Sequence, residues 1–307
     1  MSATYKHEIS APQHGPPKDF GKQKLNWTPF ILLLPLLIVL LAFFIIPLSK
    51  TVLISFYSFT GPATFDSSRF TLENYVRFWD PFYLRVLWRT IRISLIVSFF
   101  SVLIGYPVAY YMTTLDARTQ RLYMLIYLAP WMVNVVVKAF GWTLLLSRTG
   151  YINQFLLSLG IIQQPLALMF NEFGIIIALI HGQLIFAIMP IYSSLVTIDP
   201  DLRWAAANLG AKPWQIFTRI IFPLSLPGVV AGSMIVFALS MSAFTTPALL
   251  GGVRARVLPF LAYEHNVALL DWPFGSVIAL IMVVVTISIL FVYQVMMSSG
   301  KRKVILK

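Results

Sequence analysis

Long, unbroken apolar runs dominate the pattern of this chain. Six stretches reach the roughly 20 apolar residues that a helix needs to cross a bilayer: 29–56, 91–112, 122–146, 173–197, 224–250 and 274–297. Membrane strands would alternate apolar and polar residues in shorter segments, and none of the six does so. The pattern predicts an all-α, polytopic membrane protein with six transmembrane helices in one membrane domain over 28–298. Ahead of it, residues 1–27 are polar and hold Pro12, Pro16, Pro17 and several lysines, a composition that predicts a disordered tail. The apolar run that follows is too long for a signal-peptide core and lacks a small-residue cleavage site, so the first span is expected to stay uncleaved.

The connections between runs differ in kind. Residues 70–89 mix aromatic and charged positions at helical spacing. They predict short helices at the membrane interface, where aromatic residues are enriched. Segments 150–162 and 251–273 read the same way, the latter ending in Asp271-Trp272-Pro273. No internal repeat and no second domain is visible.

Segment 199–222 is punctuated more sharply. Asp199 is a good N-cap and Pro200 suits the first helical position, so a short helix is expected from Pro200 to about Leu209. Ala205, Ala206 and Ala207 give it a smooth face. Gly210 falls where a helix ends in the left-handed conformation. Beyond Ala211, Lys212-Pro213 restarts a helix that Trp214, Ile216 and Phe217 make amphipathic, and Pro223 and Pro227-Gly228 lead into the fifth span. Two readings fit this loop: a docking site for another protein, or an amphipathic segment resting on lipid headgroups.

Composition supports the membrane reading. Hydrophobic residues make up 58% of 307 and charged residues 11%, and the mean hydropathy is +0.80. Soluble domains carry about 25% charge. The absence of cysteine excludes disulfides, thiolate metal sites and cysteine nucleophiles. A net charge of +12 does not argue for nucleic acid, because membrane proteins gather Lys and Arg in cytoplasmic loops. Basic residues fill the N-terminal tail, the loop with Arg118 and Arg121, the loop with Arg203, Lys212 and Arg219, and the basic C-terminal segment 299–307. The opposite connections hold a smaller set, including Arg69, Arg77, Arg148 and Arg254, in longer segments. The asymmetry predicts that both termini are cytoplasmic. The histidines (His7, His14, His181 and His265) form no triad or metal motif, and no G-x-x-x-x-G-K-[ST] phosphate loop occurs. No catalytic residue, no metal site and no ATP site is expected in this chain.

The run from Trp204 through Ala205-Ala206-Ala207, Gly210 and Lys212-Pro213-Trp214 to Phe217, followed by Ile221-Phe222-Pro223 and Pro227-Gly228, resembles the EAA motif of type I ABC importer permease subunits. That motif opens with E-A-A-x-x-x-G and closes on an apolar stretch ending in proline. More of the chain resembles the polyamine (spermidine and putrescine) branch: Phe70-Thr-Leu-Glu-Asn-Tyr75, Asp80-Pro-Phe-Tyr83, Gly105-Tyr-Pro-Val-Ala-Tyr110, Gly150-Tyr-Ile-Asn153, Met189-Pro-Ile-Tyr-Ser-Ser194 and Asp271-Trp-Pro-Phe-Gly275. The similarity runs from about residue 29 to 293 and leaves out the tail.

The resemblance implies a coupling loop at 199–222 that docks in a cleft of a cytoplasmic ABC ATPase dimer. Its contacts would come from Asp201, Trp204, Ala205, Ala206, Leu209, Gly210, Ala211, Pro213, Trp214 and Phe217. It also implies that ATP and Mg are bound by that ATPase, that a second, related permease chain supplies the other half of the path, and that an extracytoplasmic solute-binding protein delivers the solute. The implied setting is the bacterial inner membrane, with lipid around the spans. Trp204 departs from the motif, whose glutamate it replaces. Either Asp201, one turn earlier, supplies the carboxylate, or docking is apolar through Trp204 and Trp214. The implied solute is a polyamine. An opine, an amino-acid-like compound, a sugar or a metal chelate is the alternative within the same class.

Candidate path residues are Lys138, His181, Ser240, Ser242, Phe244 and Thr245. Lys138 lies in the outer half of its span at about 1.5 Å per residue; it either snorkels to the interface or stands as a charge in the vestibule or gate. A fixed cation would repel a polyamine. His181 and Gln183 suit helix–helix hydrogen bonds or the path, and two residues apart they do not share a helix face. The stretch 240–246, with Thr246, suits a pore lining or helix packing. Pro107, Pro130 and Pro190 are expected to kink their helices. A stand-alone secondary transporter would carry carboxylates inside its spans, whereas the acids here fall in loops or at span ends. A membrane enzyme lacks any catalytic constellation to support it.

Overall fold

The computed structural model describes residues 28–304, with side chains over 33–295. The chain divides into two units, one ending at Lys50 and the other starting at Thr51. In the first, α1 (Thr28–Leu40) passes through a π turn (Leu41–Ile45) into α2 (Ile46–Ser55), which runs across the boundary. Leu33–Ser55 is apolar enough to span a bilayer.

The second unit opens with structure that the apolar pattern did not predict. Strands β1 (Tyr57–Gly61) and β2 (Thr64–Phe70) form an antiparallel hairpin. Ala63 in its turn takes φ 58°, and its N–H donates to the Leu270 carbonyl at 3.0 Å. Helix α3 (Glu73–Phe78) follows. Asp80 then accepts the Phe82 N–H and Pro81 takes the first position of α4 (Pro81–Met112), one 32-residue helix. The segment expected to lie at the interface up to residue 89 is therefore partly the first turns of a span.

Next come α5 (Ala117–Met132), α6 (Val135–Leu146), α7 (Tyr151–Ser158) and α8 (Glu172–Val196). The third apolar run is thus not one helix. It breaks between Met132 and Val135, and the two parts are bent by 91°. Pro130 remains inside α5, and the break falls where Val133 turns extended and Asn134 Oδ1 caps α6 by accepting the Val136 N–H at 2.8 Å. Pro107 and Pro190 lie within the continuous α4 and α8.

The chain continues with α9 (Pro200–Asn208), α10 (Pro213–Ile216), a π turn (Phe217–Ile221), α11 (Phe222–Met241), α12 (Thr245–Leu250), α13 (Leu258–Tyr263) and α14 (Trp272–Val304). Five described helices are long and apolar enough to cross a membrane, or six if the bent α5–α6 pair is one span.

Helices α4, α8 and α11 pack together as the centre of this unit. Ile93, Val97, Ile175, Leu179, Ala187 and Val236 form one buried cluster between them. Close approach depends on small residues, as is usual where lipid offers no hydrophobic drive. A Cβ on Gly232 would lie 3.0 Å from the Ala187 carbonyl oxygen, and one on Gly228 would overlap the Pro190 carbonyl. Gly228 and Gly232 are thus a small-x-x-x-small pair that seats α11 on α8.

At the end where α4 begins, polar side chains tie elements together. Arg77 Nη1 meets Asp271 Oδ2 at 2.8 Å, and the Arg77 guanidinium lies 4.0 Å over the Phe274 ring. Arg92 pairs with Glu172 at 2.5 Å and Arg256 with Glu264 at 3.2 Å. Buried Asn74 donates to the Ser55 and Tyr57 carbonyls. Burial opposes ionisation of Asp271, but His265 at 3.6 Å, Arg77 and the Phe274 N–H outweigh it and hold the carboxyl below the usual carboxylate range.

Candidate functional site

Two places deserve the name, and each is made by a break in helix. The first is 199–222. Asp199 Oδ1 accepts the Asp201 N–H at 2.9 Å, and Pro200 opens α9. At its far end the Gly210 N–H donates to Ala207 and the Ala211 N–H to Ala206, at 2.9 and 3.0 Å. With Gly210 at φ +82°, these are the two main-chain bonds of a Schellman cap. Gln215 Oε1 then reaches back to the Lys212 N–H at 2.8 Å, at the start of α10. The punctuation read from Asp199, Gly210 and Pro213 is present residue by residue.

The two short helices present an apolar surface. Trp204 is 69%, Leu209 88% and Trp214 71% exposed, so these three face outward together with Asp201, Ala205 and Pro213. Ala206 and Ala211 are half-buried. Phe217 turns inward instead. Its ring stacks on Trp214 at 5.8 Å and meets Tyr106 and Tyr110 edge-on at 5.8 and 5.9 Å. Tyr106 in turn bonds buried Ser225 at 2.8 Å. Arg203, which the sequence offered only as a topology signal, lies with its guanidinium 5.4 Å over the Tyr110 ring. Aromatic and cation–π contacts therefore carry the loop's position into α4 and α11, next to a π turn of the kind that recurs at functional sites.

The second place is a cavity of about 510 Å³ where the α5–α6 break faces the α11–α12 break. Pro247 in the first turn of α12 keeps α11 from running on, because proline lacks an N–H and crowds the preceding turn. Non-helical backbone at membrane depth is tolerated only where it is buried in protein or lines a cavity, and both breaks line this one. Lys138, Phe244 and Thr245 line it, with Thr246, Gln183 and Trp142. His181, Ser240 and Ser242 do not. His181 is exposed and sets its ring edge-on to Trp142 at 5.6 Å. Ser240 is buried and donates to Gln183 Oε1 at 2.7 Å, and Ser242 bonds the Ala238 and Leu239 carbonyls. Ser240 thus ties α11 to α8, whereas exposed Ser242 bonds only its own helix. Asn134, whose side chain makes the break, was legible as a lone cap-forming residue in a valine-rich run.

No group of acids and histidines that could hold a metal ion occurs among the described residues. The geometry offers an apolar contact surface at one place and an aromatic, cation-bearing cavity at the other.

Comparison with known proteins agrees. Residues 101–303 match the model of the family described as "Binding-protein-dependent transport system inner membrane component", and the chain belongs to that family. It is a multi-pass inner membrane protein with a transport role. Among its relatives is the "Spermidine/putrescine transport system permease protein PotB" of Escherichia coli (strain K12), 35% identical over 231 residues, covering 75% of this chain and 84% of that protein. The protein of the same name from Haemophilus influenzae is 31% identical over 268 residues, covering 87% and 89%. The fold is shared with a chain in the crystal structure of a bacterial alginate ABC transporter bound to its periplasmic protein, at a TM-score of 0.73, 18% identity, and 87% and 92% coverage.

Proposed function

We propose that this chain is a membrane subunit of an ATP-driven polyamine importer. The observation that carries this reading is the 35% identity with a spermidine/putrescine permease across 84% of that protein's length. The bent α5–α6 pair counts as the third of six spans, and both termini are cytoplasmic. Segment 199–222 docks on a separate ABC ATPase dimer, which binds ATP and Mg and performs the hydrolysis. Trp204, Leu209 and Trp214 enter the ATPase cleft, so contact is mainly apolar where the motif has glutamate, with Asp201 at the rim. A second permease chain closes the cavity from the other side, and a solute-binding protein delivers the polyamine to the end that holds the hairpin.

ATP binding draws the two ATPases together. The docked loops move with them, and the Phe217, Tyr110 and Arg203 contacts pass that motion to α4 and α11. The cavity is then exposed alternately to the two sides by rigid-body rocking. Uptake of labelled spermidine and putrescine by cells with and without the gene tests this. Loss of saturable, ATP-dependent uptake on deletion is the expected result; unchanged uptake of both would overturn the polyamine assignment.

A further inference from the structure

We propose that Lys138 is a specificity-determining residue, a fixed cation that keeps the path from holding polycations tightly. This rests on the polyamine reading. An ionised lysine within a span is costly and persists where it faces a cavity or a partner. Here the ammonium points inward: a Cβ added to Gly182 on α8 would lie 3.7 Å from Lys138 Nζ. The side chain lines the cavity between the two helix breaks. Among the described residues, no carboxylate lines that cavity or pairs with Lys138.

The same cavity presents the rings of Trp131, Trp142, Phe186 and Phe244. Aromatic faces attract an ammonium group through their quadrupole. Attraction by one ring concerns the ammonium that touches it, whereas repulsion by Lys138 acts on every charge the solute carries. A path must bind well enough to admit a solute and weakly enough to release it. Lys138 supplies the second requirement, most strongly for the most highly charged amine.

The test is transport by the purified complex, with its ATPase, companion permease and binding protein, in liposomes. Putrescine, a dication, is compared with spermidine, a trication. For K138Q, kcat and KM for spermidine are each expected to fall about fivefold and those for putrescine about twofold, because release slows with retained charge. K138R should retain the wild-type ratio between the two amines. Equal changes for both amines, or K138R behaving like K138Q, would mean a structural role and overturn the inference. Wild-type transport of both amines that K138Q leaves unaltered overturns this inference alone. A wild-type complex that transports neither removes the polyamine reading, and this inference with it.

Discussion

The two ends of the helical unit share cation–π contacts, Arg77 over Phe274 at one and Arg203 over Tyr110 at the other, but among the described residues only the first also carries ion pairs. Where α4 begins, the contacts are directional and charged: Arg77 with Asp271, Arg92 with Glu172, Arg256 with Glu264, and Asn74 on two carbonyls. Where α9 lies, they are rings and a guanidinium, at 5.4 to 5.9 Å. A charged hydrogen bond loses most of its strength within a fraction of an ångström or a few tens of degrees. Ring contacts tolerate offset and tilt over a broad range. The ion pairs hold the first end to a narrow geometry, and the ring contacts of the second tolerate more displacement.

Three substitutions test that contrast, in falling order of effect. Gly210→Asp forces a side chain into φ +82°, where no neighbouring atom lies within 4 Å. The clash is therefore only with its own backbone, at about 1 kcal/mol. The added charge falls on the exposed surface proposed to dock on the ATPase. Transport should fall at least about tenfold while the protein is made and inserted normally. Normal transport by G210D would remove the assignment of this loop. Asp271→Asn acts at the other end and should spare transport per folded molecule. It removes the charge that Arg77 meets and should cost about 1.5 kcal/mol, seen as a drop in Tm of about 2 °C. The sign of the pH dependence follows from the lowered pKa of the Asp271 carboxyl. Asp271 stabilises fully above the ordinary carboxylate range, and that contribution is lost as pH falls through the folded-state value. The Tm gap between wild type and D271N should thus close on acidification; a constant gap would show that the charge is not what matters. Tyr110→Leu keeps apolar bulk but removes the ring beneath Arg203 and beside Phe217. About 0.5 kcal/mol is at stake. Coupled ATPase activity should change about twofold with Tm unmoved, and the reverse pattern would contradict the contrast.

Much of this was readable from residues in order. Spans follow from apolar runs because a bilayer sets the length of a helix. Loop 199–222 was readable because Asp199, Pro200, Gly210 and Pro213 act through their nearest neighbours. Three features were not. The hairpin at 57–70 has mixed polarity and little length, and the Leu270 carbonyl that holds its turn comes from far along the chain. The 91° break at Val133 and Asn134 sits within an apolar run, and hydropathy gives length, not direction. Phe217 looks like its neighbour Trp214 in any apolar pattern; only the rings of α4 behind it decide that it turns inward. The spacing of Gly228 and Gly232 was there to be read as a helix-packing pair and is masked by the proline beside it. Within the candidate path, Ser240 and Ser242 resemble lining residues by type, yet both hydroxyls are already engaged.

The cap at Gly210 has a consequence for descent with modification. Both of its closing bonds join main-chain atoms, Gly210 to Ala207 and Ala211 to Ala206. The bend is therefore inherited with one glycine, whatever side chains stand on either side of it. Position 204 can pass from an acid to tryptophan while the turn keeps its form. Substitution at position 204 can in this way change the chemistry that the exposed surface offers without changing the shape that carries it.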